Sequence, residues 1–145
     1  MPPPSDALDR FVAAQAADYS IALAELTAGR KRSHWMWYIF PQIAGLGRSP
    51  TAQHYAIRDL AEAQDYLAHP LLGPRYRAAA AALLPHRARS AEAIMGVVDA
   101  VKLRSSLTLF TRAGAGAGAE AEAALAAFFP GPDPATLRLL DGSRS

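Results

Sequence analysis

A chain of 145 residues has room for one domain, because halving it leaves pieces too small to bury a core of their own. Hydrophobic residues make up 51% and charged residues 19%, too apolar for a disordered chain, and a formal net charge of +2 with no long basic block makes a nucleic-acid partner unexpected. The absence of cysteine excludes disulfides, thiolate nucleophiles and Cys-ligated metal sites.

The opening Met1-Pro2-Pro3-Pro4 has neither the basic nor the apolar region of a secretion signal, and no stretch nears 18 uninterrupted apolar residues. The expected location is therefore cytoplasmic, with no membrane span. Residues 1–5 read as a flexible lead-in, with Ser5 or Asp6 capping a helix from about Asp6 to Ala28. Its apolar stripe is Leu8, Phe11, Val12, Tyr19, Leu23 and Leu26. Gly29 ends it, and Arg30-Lys31-Arg32 follows, either facing the helix C-terminus or in solvent.

His34 to Gln42 concentrates aromatic side chains, including both tryptophans, and reads as a short helix or irregular turn because Pro41 lacks an amide donor. A loop is expected over Gly45-Leu46-Gly47-Arg48-Ser49-Pro50. Asp59 and Glu62 have capping-box spacing and predict a helix from about Leu60 to Ala68, closed by His69-Pro70. A further helix, entered through Leu71-Leu72-Gly73-Pro74, carries Tyr76 and the alanines 78–82 and ends near Leu84 and Pro85. Ser90 caps a brief helix through Met95. Gly96 interrupts, and Asp99 begins a helix anchored by Val101, Leu103, Leu107 and Phe110.

The Gly/Ala run 113–118 reads as a loop, too short to divide the chain. A helix follows from Glu120 to Phe129, and Asp133-Pro134 opens a final one carrying Leu137, Leu139 and Leu140. The expectation is an all-α fold: one compact domain over 6–141, about six or seven helices, and a flexible tail at 142–145.

The phrases Ser33-His34-Trp35-Met36-Trp37, Ile39-Phe40-Pro41-Gln42 and Lys102-Leu103-Arg104-Ser105-Ser106-Leu107 resemble those of the domain of unknown function 1810 family, some members of which are labelled calpastatin. The resemblance runs from Phe11 to Leu140 and includes Tyr55-Ala56-Ile57, His69-Pro70 and Leu72-Gly73-Pro74-Arg75. It implies a family and no reaction.

Two polar clusters stand out. In the first, Trp35 or Trp37 forms a stacking wall while His34 and Gln42 offer directional hydrogen bonds beside the Gly45–Gly47 loop. The plainer alternative has the rings filling the core and the polar groups satisfying backbone. In the second, Asp99, Lys102 and Ser106 share a helix face near Arg104, Ser105 and Thr108, a cationic, hydroxyl-bearing surface suited to an anion. Its plainer alternative is a helix start with a solvated ion pair. The glycine loop and Gly-Lys-Ser/Thr order of a phosphate-binding loop are absent, so this is not a nucleotide P-loop, and the sequence leaves any cofactor unknown. No metal site is expected, because His54 and His69 are too far apart and His34 lacks the His-Glu-x-x-His arrangement.

The leading expectation is a small-ligand pocket for a nucleotide-like or phosphorylated metabolite, with Trp35, Trp37, Gln42, Tyr55, Arg75, Lys102, Arg104, Ser105 and Ser106 as binding residues. The competing reading is a hydrolase or transferase in which His34 or Asp99 activates water and Lys102 or Arg104 stabilises negative charge. RNA binding through Arg30-Lys31-Arg32 with exposed tryptophans, and a homodimer through Leu137, Leu139 and Leu140, are further alternatives.

Overall fold

The computed structural model describes residues 5–114 and 118–142, and for Ser5 and Asp6 the backbone alone. Among these residues there are nine α-helices and no strand, so the fold is all-α as the periodicity predicts. They are α1 (Ser5–Ala28), α2 (Met36–Ile39), α3 (Pro50–His54), α4 (Leu60–Ala68), α5 (Leu72–Leu83), α6 (Ala91–Met95), α7 (Val97–Ala113), α8 (Ala119–Phe128) and α9 (Pro134–Gly142). A 3-10 turn at Leu84–His86 follows α5. Residues 1–4 of the expected lead-in, 115–117 of the Gly/Ala run and 143–145 of the expected tail lie outside the described residues.

Local chemistry sets the boundaries. Gly29 ends α1 with φ +78°, a conformation that side-chain-bearing residues rarely adopt, and the His86 and Arg89 side chains lie against the Thr27 and Gly29 carbonyls at 2.9 and 2.8 Å. The Asp59 side chain accepts from the Glu62 amide at 2.9 Å, as the capping spacing predicts. Glu62 does not return to Asp59. Its carboxylate accepts instead from the Arg58 amide at 2.9 Å and from Arg10 of α1 at 3.1 Å.

Three expectations are corrected. Helix α3 replaces the end of the predicted loop, because Ser49 caps the Ala52 amide and Pro50 takes the first helical position. Helix α7 begins at Val97, two residues before Asp99, with Gly96 as its cap. Val101 is not a core anchor but 63% exposed, since it lies two residues from Leu103 and so on the opposite side of a helix with 3.6 residues per turn.

The core is a continuous run of rings. Trp35 meets Phe40, Phe40 meets Tyr76, Tyr76 meets Phe110 at 4.3 Å, and Phe110 leads through Tyr66 to Phe11. The Tyr76 hydroxyl pairs with Ser106 Oγ at 2.9 Å, and the Tyr66 hydroxyl accepts from Gln15 at 3.0 Å. Burial raises the pKa of both phenols. Leu139 and Leu140 turn toward this same body, Leu139 against Gly45 and Leu140 buried.

Helices α4 and α5 approach each other at Gly73, where a Cβ would stand 2.1 Å from the Leu67 carbonyl oxygen. Because that oxygen belongs to backbone, nothing flexible yields. Gly73→Ala is expected to cost about 1–3 kcal/mol in urea unfolding. Gly131→Ala, where a Cβ meets nothing within 4 Å, serves as the control and should change stability by about 0.5 kcal/mol or less.

Candidate functional site

The site is built from the turn after α1. Glu25, in the last turns of that helix, accepts hydrogen bonds from the Arg32 amide at 2.8 Å, the Ser33 amide at 3.0 Å, the Ser33 hydroxyl at 2.6 Å and the Trp35 indole Nε1 at 2.9 Å. One carboxylate thereby reverses the chain and directs Trp35 into the core, where it is 1% exposed. Burial alone would raise the Glu25 carboxyl, but the hydrogen bonds from Ser33, Arg32 and Trp35 outweigh it and lower its pKa from 4.5 to about 2.

Lys31 is held within the same turn. Its amide donates to the Ile94 carbonyl at 2.8 Å, and its ammonium stands 4.8 Å from the Trp35 ring centroid and 2.9 Å from Asp99 Oδ2. The other oxygen of Asp99 lies 3.8 Å from Lys102, one turn further along α7, and Lys102 stands 5.1 Å from the Trp37 ring centroid. The two lysines of the chain therefore share one carboxylate, and each lies over one of its two tryptophans. Their exposure differs: the Lys31 side chain is 7% exposed, Asp99 21% and Lys102 27%.

Beside Lys102 runs an open groove of about 450 Å³ between the first turns of α7 and the 42–47 loop. Val97, Val98 and Val101 form its floor, with Leu46 and Ala135 flanking them and Gln42, Lys102, Ser105 and Asp133 supplying its polar edges. The loop is fixed by a single parallel bridge between Ile43 and Ile57, in which the Ile57 amide donates to the Gln42 carbonyl at 2.8 Å. Asp133, which lines the groove where α9 meets α7, is locked, its Oδ2 accepting from Ser105, the Thr136 amide and the Thr136 hydroxyl.

The predicted residues thus divide. Trp37, Asp99 and Lys102 come together, and Gln42 and Ser105 share the groove with Lys102. Tyr55 reaches the edge of this group: with Trp37 and Gln42 it lines a depression of about 10 Å³, room for one water at most. Ser106 is 0% exposed and hydrogen-bonded to Tyr76, so it enters the core while Lys102, one turn earlier, stays at the edge of the groove. Arg104 donates to the Gly131 and Pro132 carbonyls at 2.9 and 3.1 Å, which pins the turn before α9. Arg75 lies over the Tyr19 ring and reaches Gln15 on another face. His34 is exposed, and no contact joins it to Asp99 among the described residues.

The sequence does not point to the valines 97 and 98, and it offers Lys31 only as part of a basic run for the helix end, solvent or RNA, not as a partner of Asp99. The lysine sits in a basic run whose partner is 68 positions away, but the valines lie off the Leu103–Leu107–Phe110 stripe, a signal the helical period contains. Trp35 is buried, and Trp37 is partly exposed and lies under Lys102. Among the described residues no group of three or more His, Asp or Glu side chains is placed to hold a metal, and no helix is long and apolar enough to cross a membrane.

A model of the family described as a protein of unknown function, DUF1810, matches residues 5–140. The chain belongs to this family. The DUF1810 chain is also similar to a crystal structure of the conserved hypothetical protein Rv1873 from Mycobacterium tuberculosis, with 49% identity and a TM-score of 0.89 over 92% of this chain and 96% of that one. No curated protein matches the DUF1810 chain significantly.

Two stability predictions follow from the charges. The Glu25 carboxyl has a folded pKa below its ordinary value, so its stabilisation is present above 4.5 and is lost as pH falls toward 2. In acid titrations followed by circular dichroism, wild type should lose about 1–2 kcal/mol over that window, an amount discounted for solvent screening, while Glu25→Gln should show a flatter profile. Asp99→Ala strands the nearly buried Lys31 ammonium and should cost about 3 kcal/mol in urea unfolding. Lys102→Ala removes the more exposed of the two partners and should cost about 1 kcal/mol or less.

Proposed function

We propose that the protein binds a small organic anion in the groove beside α7, with Lys102 taking the anionic group. The observation that carries this reading is the shared carboxylate: Asp99 stands closer to Lys31 than to Lys102, at 2.9 against 3.8 Å. One negative charge faces two positive ones, and the excess lies at Lys102, the more exposed lysine, on the edge of an apolar depression. An anion arriving there completes the neutralisation while its organic part covers the valines. Nucleotide-like and phosphorylated metabolites belong in the first screen, alongside carboxylates. Asp99 is a poor candidate for a water-activating base in this arrangement, because two ammonium groups already engage its oxygens.

Tryptophan emission supplies the assay, since Lys102 stands over Trp37 and a ligand that draws the ammonium away changes the field on that indole. Screening metabolites by emission and confirming by calorimetry should yield a ligand whose affinity falls by about 1.5–3 kcal/mol in Lys102→Ala. Arg104→Ala should lower stability and leave affinity within about 1 kcal/mol, because its guanidinium is engaged by the Gly131 and Pro132 carbonyls. Equal affinity of wild type and Lys102→Ala, both folded by circular dichroism, would overturn the assignment.

A further inference from the structure

The composition of the groove narrows its occupant. We infer that it takes a monocarboxylate with a compact apolar body, of the size of one ring or a short branched chain; this class rests on the anion reading above.

Charge comes first. The Lys31, Asp99 and Lys102 triad carries one uncompensated positive charge, which one negative charge on the ligand balances. A ligand with two or more negative charges would set its excess against Asp133, which lines the same groove and already accepts three hydrogen bonds through Oδ2. Nucleoside di- and triphosphates are disfavoured on that ground.

The polar groups near Lys102 fit a two-oxygen anion. No hydrogen bond engages the Gln42 side-chain amide among the described residues, and Gln42 and Lys102 line the same groove. A carboxylate presents two oxygens, one for the ammonium and one for the amide N–H. The one hydrogen of the Ser105 hydroxyl is already shared between the Val101 carbonyl and Asp133, at 3.2 and 3.1 Å, so it is not free to bind a third oxygen.

Length follows from the helix. Val98, Val101, Lys102 and Ser105 fall at i, i+3, i+4 and i+7 and so form one stripe of α7. Lys102 sits about 6 Å along the axis from Val98, four residues at about 1.5 Å each, so a carboxylate at Lys102 leaves roughly that length of apolar floor for the body. Over it Val97, Val98 and Val101 are 72%, 67% and 63% exposed, more than the 47% of Ile21, the one other exposed large hydrophobic side chain among the described residues. Three exposed valines line this groove, two of them, Val97 and Val101, also facing the neighbouring depression beside Phe128, and they favour an apolar ligand body over a ribose, whose hydroxyls would lose water there without partners.

The test uses the full chain, with calorimetry and amide NMR shifts on 3-phenylpropanoate, its alcohol and amine counterparts 3-phenylpropanol and 3-phenylpropylamine, adenosine monophosphate and inorganic phosphate. The carboxylate should bind about tenfold or more tightly than the alcohol, with the amine weakest and shifts centred on α7 and the 42–47 loop. Lys102→Met should erase the advantage over the alcohol, and Val98→Asp, at an exposed position that leaves folding intact, should weaken the carboxylate by about tenfold. Adenosine monophosphate or phosphate binding more tightly than the carboxylate, with the same dependence on Lys102, would overturn the monocarboxylate class and leave the anion reading standing. Absence of any Lys102-dependent binding across the set would overturn both.

Discussion

A single carboxylate decides what the rest of the molecule does with its aromatic phrase. The chain leaving α1 carries three consecutive basic residues followed by Ser33, His34 and a cluster of rings, and nothing in that composition selects which side chains go inward. Glu25 selects them by accepting from two successive amides, a hydroxyl and an indole at once. The amides fix the direction of the backbone, the indole bond fixes the orientation of Trp35, and Lys31 is left aimed across the turn at α7. The buried ring then starts the row that runs through Phe40, Tyr76 and Phe110, so the hydrogen-bonded turn and the core specify each other.

The chain uses arginine at nearly every basic position, and its lysines are confined to residues 31 and 102. The choice has a physical basis at these two places. An ammonium is compact enough to face an indole and a carboxylate oxygen together, whereas a planar guanidinium seeks a bidentate partner or a parallel stack. Arg104, on the same helix as Lys102, shows the contrast: its fork takes two backbone carbonyls and becomes part of the scaffold. Lysine at 102 keeps a point charge that a ligand can recruit without dismantling a turn.

Much of the fold is legible in the sequence because helix periodicity and caps are local. The stripe Leu8, Phe11 and Leu26, the Asp59 cap, the Ser90 cap and the Asp133 cap all act over a few residues, and the structure bears them out. The Ser49-Pro50 start of α3 is equally local and was outweighed by the glycines before it. The site is less legible. Lys102 and Trp37 are separate features of the sequence, but their contact depends on how α7 packs near the turn that Glu25 makes. Ser106 illustrates the difficulty from the other side, since its spacing from Lys102 is that of a shared face, and only the packing of Tyr76 shows that Ser106 enters the core while Lys102 does not.

The paired tyrosines at the centre of the aromatic row also set an alkaline limit on the fold. Tyr66 and Tyr76 are enclosed on all sides, their hydroxyls engaged by Gln15 and Ser106 rather than by water, and burial pushes both pKa values above 10. An unfolded chain releases those two protons near its ordinary tyrosine value of 10, while the folded chain retains them. Above that pH the unfolded state is therefore increasingly favoured, by an amount that grows with each further unit. Phenolate from these two rings becomes a signature of the opened core, because neither hydroxyl meets water until the helices around it part.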